Sequence, residues 1–375
     1  MITNNHFRFA AVALSALFIA SCGSDSSTSP TPQASAGSGI FIVTSDFATG
    51  STALLPPSSE TAEIDLLNVH SDAVARSFDD KIYIINRFGA DNILVLDRGD
   101  LRTPLLQFSV GNGSNPQDIE VLSDTKAYVT GLGRADVAIF NPQDGAELGS
   151  IDLSAFADDD GLPELAHMVQ VGSRIYVLAQ RLVNFAPVGT SYLVVIDSDT
   201  DTVVDMDAST DGVQAIELAA PNPNGIVAVG SRLVVSSVWS FGDRMGGIEV
   251  LELSASGEVT SGGLAIDEQA LNGDLNGIAM VDESTGFALI SDENFANFVV
   301  PFDLASGEVG EPLADLSTGF KQTMEVDGNR LIVGDQGSAV APESVGLMIF
   351  DVDTKDLLAG PISTGLPPAS IVILD

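Results

Sequence analysis

The feature that most constrains this chain is a phrase that returns six times. It consists of an apolar strand, a tight turn, often a Lys or Arg, and a second β-rich strand. It occurs at Ala73 (AVARSFDDKIYIIN), Asp118 (DIEVLSDTKAYVTG), His167 (HMVQVGSRIYVLAQ), Gly225 (GIVAVGSRLVVSS), Gly277 (GIAMVDESTGFALIS) and Thr323 (TMEVDGNRLIVGD), at intervals of 45 to 58 residues. A third strand ending in an acid or amide follows in most units, as in Ile93 to Asp97, Leu193 to Asp197 and Met348 to Asp351. Turn residues such as Asn141-Pro142-Gln143-Asp144-Gly145 come next, and then a fourth strand. Four short antiparallel strands at this period form a sheet that cannot bury both faces until neighbouring sheets stack on it, which is how β-propeller blades arise.

Six blades leave Ile40 to Val69 and the last strand, Ser370 to Leu374 (SIVIL), unassigned. The last strand matches the first strand of every repeat, and Ile40 to Val69 holds material for the other three. The expected fold is therefore all-β: a seven-bladed propeller over 40–375, closed by N- and C-terminal strands in one blade, which removes exposed sheet edges.

The phrases KIYIINRFGADNILVLD and KAYVTGLGRADVAIFN, with RIYVLAQ and YLVVID in the next blade, resemble the YVTN-type (YncE-like) propeller repeat, although Leu233, Phe287 and Leu331 replace its tyrosine later. The resemblance implies a bacterial or archaeal surface or secreted lipoprotein that binds and does not catalyse. A branch of similar lipoproteins captures cobalamin, but no motif here singles out that ligand.

The first residues read as an address. Phe9 to Ala20 is an apolar run too short for a comfortable permanent span, and it ends Ile19-Ala20-Ser21-Cys22-Gly23, which resembles a bacterial lipobox. Residues 1–21 are thus expected to be a signal peptide, with Cys22 lipidated and 22–39 a flexible Ser/Thr/Pro/Gly-rich tether. By resemblance to lipoprotein sorting, no Asp follows the cysteine directly, which points to the outer membrane, with either the periplasmic or the surface face open. The alternative is an ordinary cleavage site near a single cysteine.

Acids outnumber bases 52 to 15, giving a net charge of −37. Broad contact with nucleic-acid phosphates is repelled, so no nucleic-acid partner is expected. Cys22 is the single cysteine, which excludes an intrachain disulfide and a thiolate metal cluster.

In a four-stranded blade the loops between second and third strands share a face with the loops joining successive blades. That face should carry Arg87, Arg134, Arg181, Trp239 and Arg244 as ligand contacts, since guanidinium groups beside aromatic rings suit anionic or planar ligands. The competing reading of these arginines is ion pairing with nearby acids. Asp118 and Glu164, with His70 and His167, fall toward the central mouth. Imidazole plus carboxylate could hold a divalent metal, but no His-x-His or HExxH spacing is present, and turn or core polar roles compete. Asp158-Asp159-Asp160-Gly161 is an oxygen-rich loop without the twelve-residue calcium spacing. Lys81, Lys126, Arg174, Arg232 and Arg330 recur before second strands on the opposite face and read as solvated turn charges.

The functional expectation is an envelope-anchored, non-enzymatic module that holds a small molecule or an envelope protein on its loop-rich face. The alternatives are a lactonase-like or other propeller hydrolase, for which His167 with Glu164 or Asp118 is the plausible acid–base set, and a structural envelope protein.

Overall fold

The computed structural model describes residues 38–374 apart from 256 and 339. The expected signal peptide, Cys22 and nearly all of the tether lie outside the described residues. The chain forms seven antiparallel sheets arranged as the blades of a ring. Blade 1 contains Gly39–Ser45, Gly50–Leu55 and Asn68–Val69, and its innermost strand is the C-terminal Pro368–Leu374. Ile40 pairs with Ile373 and Ile42 with Ile371, so the two ends of the chain complete one another as the repeat demands.

Blades 2 to 7 have innermost strands Ala73–Phe78, Pro116–Ser123, Leu165–Val171, Pro223–Val229, Asp274–Met280 and Met324–Asp327. Their outermost strands range from the two-residue Thr202–Val203 to the nine-residue Val259–Asp267. Among the described residues α-helix is confined to Glu268–Leu271, and no helix is long and apolar enough to cross a membrane.

Why the second and third strands read as unbroken apolar runs is clear from their packing. Side chains alternate across a strand, and here both faces meet a neighbouring blade. In Lys81–Asn86, Ile82 and Ile84 enter a core shared with blade 1, whereas Tyr83 and Ile85 enter one shared with blade 3. The closing strand behaves likewise: Ile371 packs toward blade 7, and Val372 and Leu374 toward blade 2. Seven such cores, each lined by two adjacent blades, make up the interior of the described residues.

In three blades the recurring basic residue and the acid at the end of the third strand form one device, whereas Lys126 pairs with Asp201 and Arg330 with Asp327. Lys81 sits opposite Asp97, Arg174 opposite Asp197, and Arg232 opposite Glu252. These pairs bond at 3.1, 2.8 and 2.8 Å. Exposed pairs of this kind contribute about 0–1 kcal/mol each, enough to favour one register over its one-residue slip.

Candidate functional site

Each innermost strand runs away from the loop-rich face, so its inward side chains line the central channel. Arg76 of blade 2 reaches Asp118 of blade 3 through two bonds, Nε to Oδ1 at 2.7 Å and Nη2 to Oδ2 at 3.1 Å. Asp118 also accepts the backbone N–H groups of Ile119 and of Met168 in blade 4, both at 2.9 Å. His167 Nδ1 stands 3.6 Å from Asp118 Oδ2 and 3.4 Å from Arg76 Nη2.

The Asp118 side chain is 1% exposed, yet it stays charged. Burial opposes ionisation, and the Arg76 guanidinium and then His167 outweigh it, holding the carboxyl well below the usual carboxylate range. The Arg76 side chain, on the innermost strand of blade 2, is 42% exposed. Glu120 and Glu325 have no such partner. Burial pushes each up to about 7, with the Asp118 charge adding at Glu120 and Arg76 opposing in both. Asp118 thus fastens three blades together, a structural task that engages both of its oxygens.

Three of the four rim arginines are engaged locally by charge or by ring. Arg87 pairs with Asp72. Arg134 forms a two-pronged bond to Asp136 at 2.8 and 3.1 Å and reaches Glu147 at 3.5 Å. Arg181 lies over the Tyr192 ring at 5.3 Å and donates to the Thr190 carbonyl at 2.9 Å. Arg244 donates to Asn272 Oδ1 at 3.0 Å. Trp239 is half-buried, its carbonyl accepting from Asn222. His70 lies at the blade 1 to blade 2 joint, where its Nδ1 accepts the Asp72 N–H at 3.1 Å.

Aromatic side chains dominate the exposed part of this face. Phe47, Phe88, Phe185, Phe241 and Phe295 project from second-to-third-strand loops of blades 1, 2, 4, 5 and 6. Four of them, Phe47, Phe88, Phe185 and Phe295, adopt positive φ, from 36 to 66°. Bulky side chains rarely occupy that region, which costs on the order of 1–3 kcal/mol at a residue.

Phe185 shows how local chemistry creates such a position. Leu182–Val183 and Ala186–Pro187 pair as a small hairpin whose two-residue turn is Asn184-Phe185, with φ of 52 and 62°. Such turns favour Asn-Gly, and here a phenylalanine occupies the glycine place, 75% exposed. Glu164 anchors the hairpin by accepting the Leu182 N–H at 2.8 Å.

Between Phe88 and Phe185 lies a cavity of about 500 Å³. Leu132 and Leu182 extend its apolar wall, and Asp91, Asp160 and Glu164 line its polar side. Asp91 is saturated by the backbone N–H groups of Gly113 and Asn115, at 2.7 and 2.9 Å. Glu164 is not. Only 6% exposed, it is pushed up to about 7 by burial against the pull of the Leu182 N–H, with the charges of Asp158 and Asp160 adding.

One oxygen from each of Asp158, Asp160 and Glu164 lies within 4.8 Å of the others, so this set could hold a metal ion. It is the one such grouping among the described residues, and neither His70 nor His167 belongs to it.

Reading the repeat register in the sequence puts Glu164 and four of these phenylalanines, Phe88, Phe185, Phe241 and Phe295, on the face where they lie. It missed Phe47, the convergence of Glu164 with Asp158 and Asp160, and the channel charges Arg76, Glu120 and Glu325. A signal for the last two was available, because Glu120 and Glu325 occupy the same third place in their repeats.

No protein-family model and no curated protein matches the chain. Its likenesses are to solved structures. A protein from Bacteroides fragilis described as a candidate 6-phosphogluconolactonase is 14% identical, with a TM-score of 0.62, covering 94% of this chain and all of its own. A protein from Lactobacillus plantarum is 15% identical, with a TM-score of 0.60, over 90% and 100% of the two chains. AztD from Citrobacter koseri is 11% identical, with a TM-score of 0.51, over 89% and 97%. At such identities the likeness carries the propeller fold and nothing finer.

Proposed function

We propose that the protein is an envelope-anchored, YVTN-type binding propeller that holds a ligand on its loop-rich face without transforming it. The observation that carries this reading is the cavity between Phe88 and Phe185, whose walls are aromatic side chains kept exposed at backbone angles that disfavour them. Its size falls within the range of about 300–1,000 Å³ usual for small-molecule sites. The lipobox-like end of the apolar leader, with Cys22 as its lipid acceptor, supports the anchored location. The first described strand runs from Gly39 toward the loop-rich face, so the described residues begin on the side opposite the cavity.

The test is mass spectrometry of molecules co-purified with the lipidated protein from its own cells, compared with a Phe88→Ala/Phe185→Ala variant. A small molecule lost from the variant supports the reading. A partner protein retained equally by both, with no small molecule in either, removes it in favour of a purely structural envelope role.

A hydrolase reading draws on the Arg76, Asp118 and His167 cluster. Turnover of a lactone panel that disappears in His167→Ala would establish it. Both Asp118 oxygens are already engaged by Arg76 and backbone N–H groups, which argues against that carboxylate serving as a base.

A further inference from the structure

The chemistry of the cavity lining restricts what it can hold. Its apolar wall is built by Phe88, Phe185, Leu132 and Leu182, and no Lys, Arg or His lines it. Arg87 and Arg134, in the loops nearest to it, are turned to Asp72 and to Asp136, and Arg181, whose charge acts on Glu164, donates to the Thr190 carbonyl. No ion pair joins a basic side chain to Asp158, Asp160 or Glu164 among the described residues.

The polar side of the lining is acidic, with Asp160 and Glu164. Glu164, more than nine-tenths buried, spends one oxygen on the Leu182 N–H. A buried acceptor short of donors is unfavourable, the more so when it is charged, so an occupant that supplies donors and positive charge is favoured there.

We propose that this cavity takes an organic ammonium ion, a primary amine carried on an apolar or aromatic body. The inference rests on the loop-face binding reading and names its ligand class. An ammonium group offers three N–H donors, and the two acids that line the cavity, Asp160 and Glu164, bring oxygens within 4.8 Å of each other to accept them. Charge-assisted N–H···O bonds of about 2.7–2.9 Å fit such a spacing. The apolar body then covers Phe88 and Phe185, whose faces attract cations and whose area is otherwise wet. An anion meets repulsion from Asp160, and a neutral ligand brings no charge to meet the acidic side. A bare divalent ion satisfies the oxygens but leaves both rings uncovered.

The experiment uses ligand-stripped protein and three probes of nearly equal shape: phenethylamine, 2-phenylethanol and 3-phenylpropionate. Binding is read by ligand-observed NMR titration. The expected result is that the amine binds at least tenfold more tightly than the alcohol, a difference of about 1.4 kcal/mol, and that the acid does not bind. Asp160→Asn should erase most of that preference while alcohol binding persists, and Phe185→Ala should weaken both.

Equal affinity for amine and alcohol, or tighter binding of the acid, overturns the ammonium class while leaving the cavity as a binding site. Calcium chloride that stabilises the protein through Asp160 and Glu164 while phenethylamine leaves it unshifted overturns it in favour of a metal site. No binding by any probe at about 10 mM, well above the concentration at which a millimolar Kd saturates, also overturns it. If the Phe88→Ala/Phe185→Ala variant then still keeps every co-purified molecule, the loop-face reading falls as well.

Discussion

Removing Ile371 to Asp375 should open the ring. Within this segment Ile371, Val372 and Leu374 are 4, 8 and 3% exposed, and they enter two different inter-blade cores, between blades 7 and 1 and between blades 1 and 2. Burying one such side chain contributes about 1.5–3 kcal/mol, so the three together contribute roughly 5–9 kcal/mol. The four ladder partners from Leu374 to Ile371 are lost too, which bares the edge of Gly39–Ser45. Whole domains are stable by only about 5–15 kcal/mol. The truncated protein should therefore either fail to fold or melt on the order of 10 °C lower, as read by calorimetry at neutral pH. Small-angle scattering should show an enlarged particle. The exposed Val340→Ala, 88% accessible, serves as a control expected to leave the midpoint unchanged. A truncated protein that melts at the parent temperature would refute the closure and with it the grouping of distant loops on one face.

Three further outcomes follow from the charges and the strained loops. Glu120, Glu164, Glu268 and Glu325 are each raised from 4.5 to about 7, chiefly by burial. Their protonated forms therefore favour the folded state below pH 4.5, and that contribution fades as pH rises through 7. The charged groups facing them are Asp118 and Arg76 at Glu120, Arg76 at Glu325, Asp158, Asp160 and Arg181 at Glu164, and Asp274 and Arg244 at Glu268. Denaturant midpoints should fall between pH 5 and pH 8, and Glu325→Gln should flatten the slope; a rising midpoint would contradict the burial argument. Asp118 works oppositely, its lowered value giving stability above the ordinary carboxylate range that is lost only in strong acid. A net charge of −37 should make the melting temperature climb with sodium chloride as the screening length falls to about 10 Å at 0.1 M. A flat salt titration would sink that expectation. Phe185→Gly should raise stability by about 1 kcal/mol by giving the two-residue turn its preferred Asn-Gly sequence. A loss of stability would mean that the ring packs against the fold instead of waiting in solvent.

The architecture was open to sequence reading because blade strands must be apolar on both faces, so KIYIIN and RIYVLA announce themselves without any contact information. Closure was equally legible, since SIVIL has the form of a first strand and no repeat to belong to. The site was less so. Glu164 and Asp160 are near in sequence, but Phe88 and Phe185 are nearly a hundred positions apart, and only the turn angles at both places bring their rings to one cavity. Arg76 was hidden for another reason: in AVARSF it looks like a solvent-side residue of an alternating strand, and nothing local to that strand shows that it meets Asp118 of the next blade.

The innermost strand of blade 1 is synthesised only after the strands of all six other blades. Until Pro368–Leu374 arrives, Ile40, Ile42 and Phe41 have no partner on one edge, and two of the seven cores cannot assemble. Synthesis must therefore pass through all six other blades before the ring can lock, which leaves the polypeptide unclosed, and threadable through a narrow pore, until that strand emerges.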